Sequence, residues 1–167
     1  MQRDALYVGG FFERVDGVRR DGIAAVDAKD GRVLPWHVTL AQEPGGFGGP
    51  AVSAIATTAD AVYFSGNFAT VNDVQRAGLA AAATAGSVTA WNPRPDGYVS
   101  SLAVARDALY VGGSFSRIGG EQRSALAAVD LDEGKVQRFA PALMPHGRNR
   151  ELDVGGIAVD GGSVYAV

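Results

Sequence analysis

The chain has 167 residues, 20% of them charged and 47% hydrophobic, with a net charge of −3. That balance supports one buried core and excludes wholesale disorder, and its mildly acidic sign argues against a nucleic-acid partner. With no cysteine and two histidines, disulfides, thiolate nucleophiles and Cys-ligated zinc are excluded, and a multi-histidine metal site is not expected.

From the N-terminus, Met1-Gln2-Arg3-Asp4 leads into an apolar run that Gly9, Gly10, Glu13 and Arg14 break up. No secretory signal is read in this chain, and no apolar stretch is long enough for a membrane-spanning helix, so no membrane insertion is expected. The run itself, "DALYVGGFF" at Asp4–Phe12, recurs as "DAVYFSGNF" at Asp60–Phe68 and "DALYVGGSF" at Asp107–Phe115. A fourth copy begins as "SVYAV" at Ser163–Val167. The tyrosines Tyr7, Tyr63, Tyr110 and Tyr165 are 56, 47 and 55 residues apart.

Landmarks inside each copy keep their spacing. Phe12, Phe68 and Phe115 follow the tyrosine by five residues, and Arg20, Arg76 and Arg123 follow those by eight. An apolar residue comes next (Ile23, Leu79, Leu126), then a glycine (Gly31, Gly86, Gly134) and a valine (Val33, Val88, Val136). Trp36, Trp91 and Phe139 close the unit, and Val52, Val99 and Val154 open the following one. Length varies almost wholly between the closing aromatic and the next opening valine, where the first and third copies carry an insertion.

No useful 3.6-residue stripe occurs, whereas short apolar runs alternate with turn signals, so each copy reads as four short strands, A to D. In the third copy these are A at Val99–Ala105, B at Ala108–Gly113, C at Ala125–Asp130 and D at Lys135–Phe139. Gly134 supplies the C–D turn. The glycine pair after the tyrosine ends strand B and suits close approach to a neighbouring sheet. The alanine pairs of strand C (Ala24-Ala25, Ala80-Ala81, Ala127-Ala128) are poor strand formers and imply sheets packed too closely for larger side chains.

Helix-free four-stranded repeats of this length indicate an all-β fold of β-propeller blades, each a four-stranded antiparallel meander. The pattern LYVGG.F..V.G..R..LAAVD...G.V..W.P resembles the delta-60 repeat of bacterial propeller proteins. It is also similar to the repeats of fungal cortical polarity-marker proteins, and more loosely to kelch repeats, whose usual strand-C aromatic is replaced here by "AAVD". About three blades are visible in a single region, 1–167: a partial blade B-C-D at 1–38, blades at 52–92 and 99–140, and a partial A-B at 154–167. The chain therefore reads as part of a larger propeller, completed by remaining blades of the same protein or by a second copy.

In such a meander the B–C and D–A loops share one face, which is where a rigid scaffold would present binding residues. The candidate ligand-binding set is His146, Arg148, Arg150 and Glu151 in the third D–A loop, where arginine forks suit a carboxylate, sulfate or sugar acid, together with His37 and with Phe47 in the glycine-rich first loop. The plainer reading of each is a solvated linker, a glycine-rich spacer or an ordinary surface histidine. The recurrent arginines read as structural, bonded to carboxylates or to B–C carbonyls. Asp130-Leu131-Asp132-Glu133-Gly134 reads as a hairpin turn rather than a calcium loop, because it lacks the downstream bidentate glutamate. Ser53, Ser100 and Ser101 lack a nucleophile elbow. No catalytic residue, cofactor or metal is expected.

The resulting expectation is a non-enzymatic binding or scaffold module with a protein or carbohydrate partner. The resemblance implies a bacterial secreted or surface protein, hence an extracellular or cell-surface location. Two alternatives stand beside it: a propeller hydrolase, lyase or oxidase whose site lies in other blades, and a self-associating half-propeller.

Overall fold

The computed structural model describes residues 4–45, 48–144, 152–160 and 163–167. Among these, all regular structure is β and every pairing is antiparallel. The first sheet pairs β1 (Ala5–Gly9) with β4 (Ile23–Asp27), and between them β2 (Arg14–Val15) and β3 (Val18–Arg19) form a small hairpin. After β5 (Leu40–Ala41), the second sheet holds β6 (Ala51–Thr57), β7 (Ala61–Asn67) and β10 (Leu79–Ala83), with the hairpin β8 (Thr70–Val71) and β9 (Val74–Gln75) inserted before β10. The third sheet repeats this with β11 (Tyr98–Ala105), β12 (Ala108–Ser114) and β15 (Leu126–Asp130) around the hairpin β13 (Arg117–Ile118) and β14 (Glu121–Gln122). Then β16 (Ile157–Asp160) pairs with β17 (Ser163–Ala166).

The sheets stack in chain order: β6 lies against β1, β11 against β6 and β7, and β16 against β11 and β12. One apolar cluster, containing Ile23, Trp36, Val52 and Phe64, fills the first junction; a second, containing Leu79, Trp91, Val99 and Leu109, fills the next. All six strand-C alanines are buried. The close packing expected from them is present.

Strand D differs from expectation. Instead of a strand over Lys135–Phe139, one bridge joins Val136 to Val129, flanked by Asp130 N–H to the Lys135 carbonyl (2.9 Å) and Gln137 N–H to the Ala128 carbonyl (2.8 Å). Val33 and Val88 make the same single bridges. The ladder ends there because the closing aromatic turns over the tyrosine of its own sheet. Edge-to-face pairs form between Trp36 and Tyr7, Trp91 and Tyr63, and Phe139 and Tyr110, with ring centroids 4.9, 5.1 and 5.2 Å apart. Trp36 Nε1 then donates to the Ala83 carbonyl (3.0 Å) and Trp91 Nε1 to the Asp130 carbonyl (2.8 Å), both at the end of the following sheet's third strand. Each tryptophan thus clamps two sheets together.

Strand C also begins one residue late, at Leu126, because Ala125 takes φ 65° in the left-handed region; Gly22 and Gly78 occupy the equivalent positions with φ 78° and 65°. Strand B ends within its glycine pair in the first copy, at Gly9, but β12 runs one residue past its pair to Ser114, and β7, with Ser65-Gly66 there, runs on to Asn67. In the third copy both glycines make room for β11 of their own sheet, and Gly112 also for the following one: a Cβ on it would stand 2.5 Å from Ser101 Oγ. A Cβ on Gly112 would stand 2.8 Å from Val154 Cγ1 of the following sheet. A Cβ on Gly113 would stand 2.1 Å from the Tyr98 carbonyl oxygen in its own sheet.

The register of β6 on β7 slips between Val52 and Ala54, and that of β11 on β12 between Val99 and Ser101, so Ser53 and Ser100 are bulge residues. Their hydroxyls reach the next sheet: Ser53 Oγ donates to the Val99 carbonyl (3.0 Å) and Ser100 Oγ to the Val154 carbonyl (2.9 Å). Ser101 Oγ also donates to Val154 (3.1 Å). These serines tie sheets together.

Candidate functional site

The three B–C connections are ordered hairpins rather than open loops. Their tips, Asp16-Gly17, Asn72-Asp73 and Gly119-Gly120, all have φ between 47° and 82°, the pattern of a type I′ turn. Those dipeptides carried a legible hairpin signal that the four-strand reading missed.

Each recurrent arginine fastens its hairpin to the body. Arg20, Arg76 and Arg123 donate through Nη1 to the preceding carbonyl (Arg19, Gln75, Gln122). Through Nη2 they reach Leu34, Thr89 and Gln137 at 3.0, 2.7 and 3.0 Å. Burial, reinforced by the nearby Arg94 charge, pushes the Arg76 guanidinium below its ordinary value. The structural reading of these residues, as partners of B–C carbonyls, agrees with this geometry.

The D–A segments run differently from expectation. Val38 and Leu40 are buried, β5 pairs with β8 of the next repeat, and Thr39 N–H donates to Asn72 Oδ1 (2.8 Å). In the next repeat Asp96 takes the same role: its N–H donates to the Arg117 carbonyl (3.0 Å), and its Oδ1 accepts from Ser116 and Arg117 N–H. Part of each of the first two segments is therefore a strap over the following hairpin. A Cβ on Gly86 would lie 3.4 Å from the His37 carbonyl, so His37 is exposed beside the next sheet's C–D turn. It lies two residues before Thr39, whose N–H meets the Asn72 side chain at the tip of the next B–C hairpin. Phe47, His146, Arg148, Arg150 and Glu151 lie outside the described residues.

The Asp130 turn is a capped hairpin. Its Oδ1 accepts from the N–H groups of Asp132 (3.1 Å), Glu133 (2.6 Å) and Gly134 (3.2 Å), and Oδ2 from Lys135 (2.8 Å). Burial alone would raise this carboxyl, but the four amide bonds outweigh it and hold the group below the usual carboxylate range. Because the folded value is depressed, the stabilisation is complete above the unfolded-state value of about 3.9 and disappears as pH falls through the folded one. Asp130→Asn is expected to cost about 1 kcal/mol at pH 7, since its amide cannot accept from Lys135. Urea titrations from pH 7 to pH 2 should show the gap from wild type constant down to about pH 4 and closing below it. A pH-independent gap would reject the carboxylate's role.

Among the described residues, no three His, Asp or Glu side chains gather as a metal site. Clefts of ≈600 and ≈630 Å³ lie beside the Arg106-Asp107 turn and between Pro93 and the Glu133–Lys135 turn. A third, of ≈380 Å³, lies where the first hairpin meets the first insertion. Phe11, Phe12, Glu13, Arg19 and Asp21 form one wall and Gly48, Gly49 and Pro50 the other. Phe11 is 74% exposed. Arg19 Nε and Asp21 Oδ1 pair at 3.1 Å. Sequence reasoning passed over Phe11, although a signal existed: the equivalent residues are Asn67 and Ser114, so a phenylalanine at this position departs from the repeat.

The protein is thus an all-β chain of stacked, repeated antiparallel sheets, with one of its clefts where the first hairpin meets the first insertion. No protein-family model matches the chain, and no curated protein matches it. Among solved structures it is similar to the computationally designed Ika8 protein, at 14% identity and a TM-score of 0.40 over 98% of this chain. The chain spans 52% of that protein's length, and the likeness is too distant to bear on function.

Proposed function

We propose that the chain is a run of β-propeller blades serving as a non-enzymatic binding or scaffold module in a bacterial secreted or surface protein. The observation that carries this reading is where the recurrent polar groups go. The arginine forks, the bulge serines, the tryptophan Nε1 groups and Asp130 all bond the protein's own backbone. What changes from repeat to repeat is the loops, the mark of a scaffold that presents variable contacts. Stacking of meanders in chain order, each bulged strand tied to the next sheet, supports the propeller arrangement, and the delta-60-like repeat supports the location.

The test sets binding against turnover. The immobilised protein is screened against glycans and peptides, and in parallel against ester, glycosidic and oxidisable substrates. Saturable binding without turnover is the expected result; turnover that survives purification would reject it in favour of a propeller enzyme.

A further inference from the structure

We propose that the cleft between the first B–C hairpin and the glycine-rich insertion binds a neutral saccharide, with Phe11 as its stacking platform. This rests on the reading of the loop end as a binding face and names the class of ligand.

Two departures from the repeat meet at this point. One is the insertion, absent from the second D–A segment. The other is Phe11, an exposed aromatic ring where the other copies carry a small polar residue. Its exposure belongs to the position: Asn67 and Ser114 are exposed too, in sheets flanked on both sides. An exposed phenylalanine gains nothing for folding here. It stands at the mouth of a cleft whose ≈380 Å³ falls at the small end of ligand sites, roughly 300–1,000 Å³. A Cβ on Gly49 would touch Phe11 Cε2 at 3.8 Å, so side chains on the facing glycines would narrow the space beside the ring.

The remaining lining fits hydroxyl groups. A sugar ring has an apolar C–H face that packs on an aromatic ring and a rim of hydroxyls that both donate and accept. Glu13 and Asp21 supply acceptors, and Arg19 supplies a planar donor fork. The Arg19–Asp21 pair uses Nε and one carboxylate oxygen, which leaves the Nη groups and the second oxygen as the ones offered to ligand. Two carboxylates and one guanidinium sum to −1, which disfavours sulfated or uronic-acid glycans. A proline-rich peptide also stacks on aromatic rings, but it presents no rim of hydroxyls to these three charges.

The experiment is a glycan array of neutral gluco-, galacto-, xylo- and chito-oligosaccharides, with anionic glycans and proline-rich peptides on the same surface. Hits are followed by titration with wild type, Phe11→Ala, Phe11→Trp and Asp21→Asn. Expected are saturable binding to a neutral oligosaccharide, about a tenfold loss in Phe11→Ala, retention in Phe11→Trp and weakening in Asp21→Asn. Unfolding midpoints of both Phe11 variants should match wild type, since the ring is exposed. Neutral-glycan binding that is indifferent to Phe11→Ala overturns the site, and Phe11-dependent binding of anionic glycans or peptides alone overturns the ligand class while leaving the binding face intact. No saturable binding to any probe overturns this proposal and the binding-face reading together.

Discussion

Replacing Trp91 with alanine is expected to destabilise the protein by about 3–5 kcal/mol, the range for deleting a large buried aromatic. Trp91 is 1% exposed and lies in the cluster shared by the second and third sheets. Three losses coincide: the buried ring itself, the edge-to-face pair with Tyr63, and the Nε1 bond that would otherwise satisfy the Asp130 carbonyl. Trp91→Phe separates them. It keeps the ring contact, as Phe139 does naturally against Tyr110, and is expected to cost about 1–3 kcal/mol for the lost donor and its unsatisfied acceptor. Urea unfolding followed by circular dichroism reads both variants. A loss below about 1 kcal/mol for the alanine variant would mean that the indole does not clamp the two sheets.

Gly113→Ala is expected to cost about 3 kcal/mol or more, at the upper end for overpacking, because the obstruction is backbone and cannot rotate away. The new methyl carbon would lie 2.1 Å from the Tyr98 carbonyl oxygen and 2.8 Å from Val99 Cα. Relief requires β11 to leave β12 next to its bulge, where Gly113 N–H donates to Ala125 (3.0 Å) and the Gly113 carbonyl accepts from Val154 (3.2 Å). Gly155→Ala is the control: nothing lies within 4 Å of a Cβ there, and a change within about 0.5 kcal/mol is expected. Equal denaturation midpoints for the two variants would reject the steric account. Gly10 makes the same point from the other side. A Cβ there would meet only the Phe12 ring, at 3.4 Å, in a sheet that shows no strand equivalent to β6 or β11 among the described residues.

Much of the fold was legible in the residues. The repeat located strands A, B and C of the second and third copies to within a residue or two, because alternation and turn glycines are local signals, while the last strand A begins three residues late, at Ile157. The alanine pairs announced close packing, and the arginines were readable as structural, since a donor fork recurring at a fixed spacing suits a fixed backbone target. Strand D was not legible. Lys135–Phe139 has strand-like residues, but the attraction of the closing aromatic for Tyr110 pulls the chain off the ladder after Val136. The straps were hidden for a related reason: Val38 and Leu40 alternate as a strand does, yet their partner hairpin lies about thirty residues on, and its receiving edge exists only after β7 and β10 have paired.

The candidate site was legible only in outline. The first insertion stood out by its length. The loop histidine and arginines drew attention by their chemistry, whereas Phe11 did not, because an isolated phenylalanine reads as core. Only the folded chain places Phe11 on the surface, with Phe12 beside it in the cleft wall. By itself the sequence determined the repeat, its all-β character, the main strands and the small residues that let sheets approach, all properties set by near neighbours along the chain. Tertiary structure alone decided which carbonyl each tryptophan, serine and arginine meets, where each strap lies and which aromatic stays exposed. Those contacts depend on the stacking of one sheet against the next, and a strand's own residues do not encode the position of a neighbour some fifty residues away.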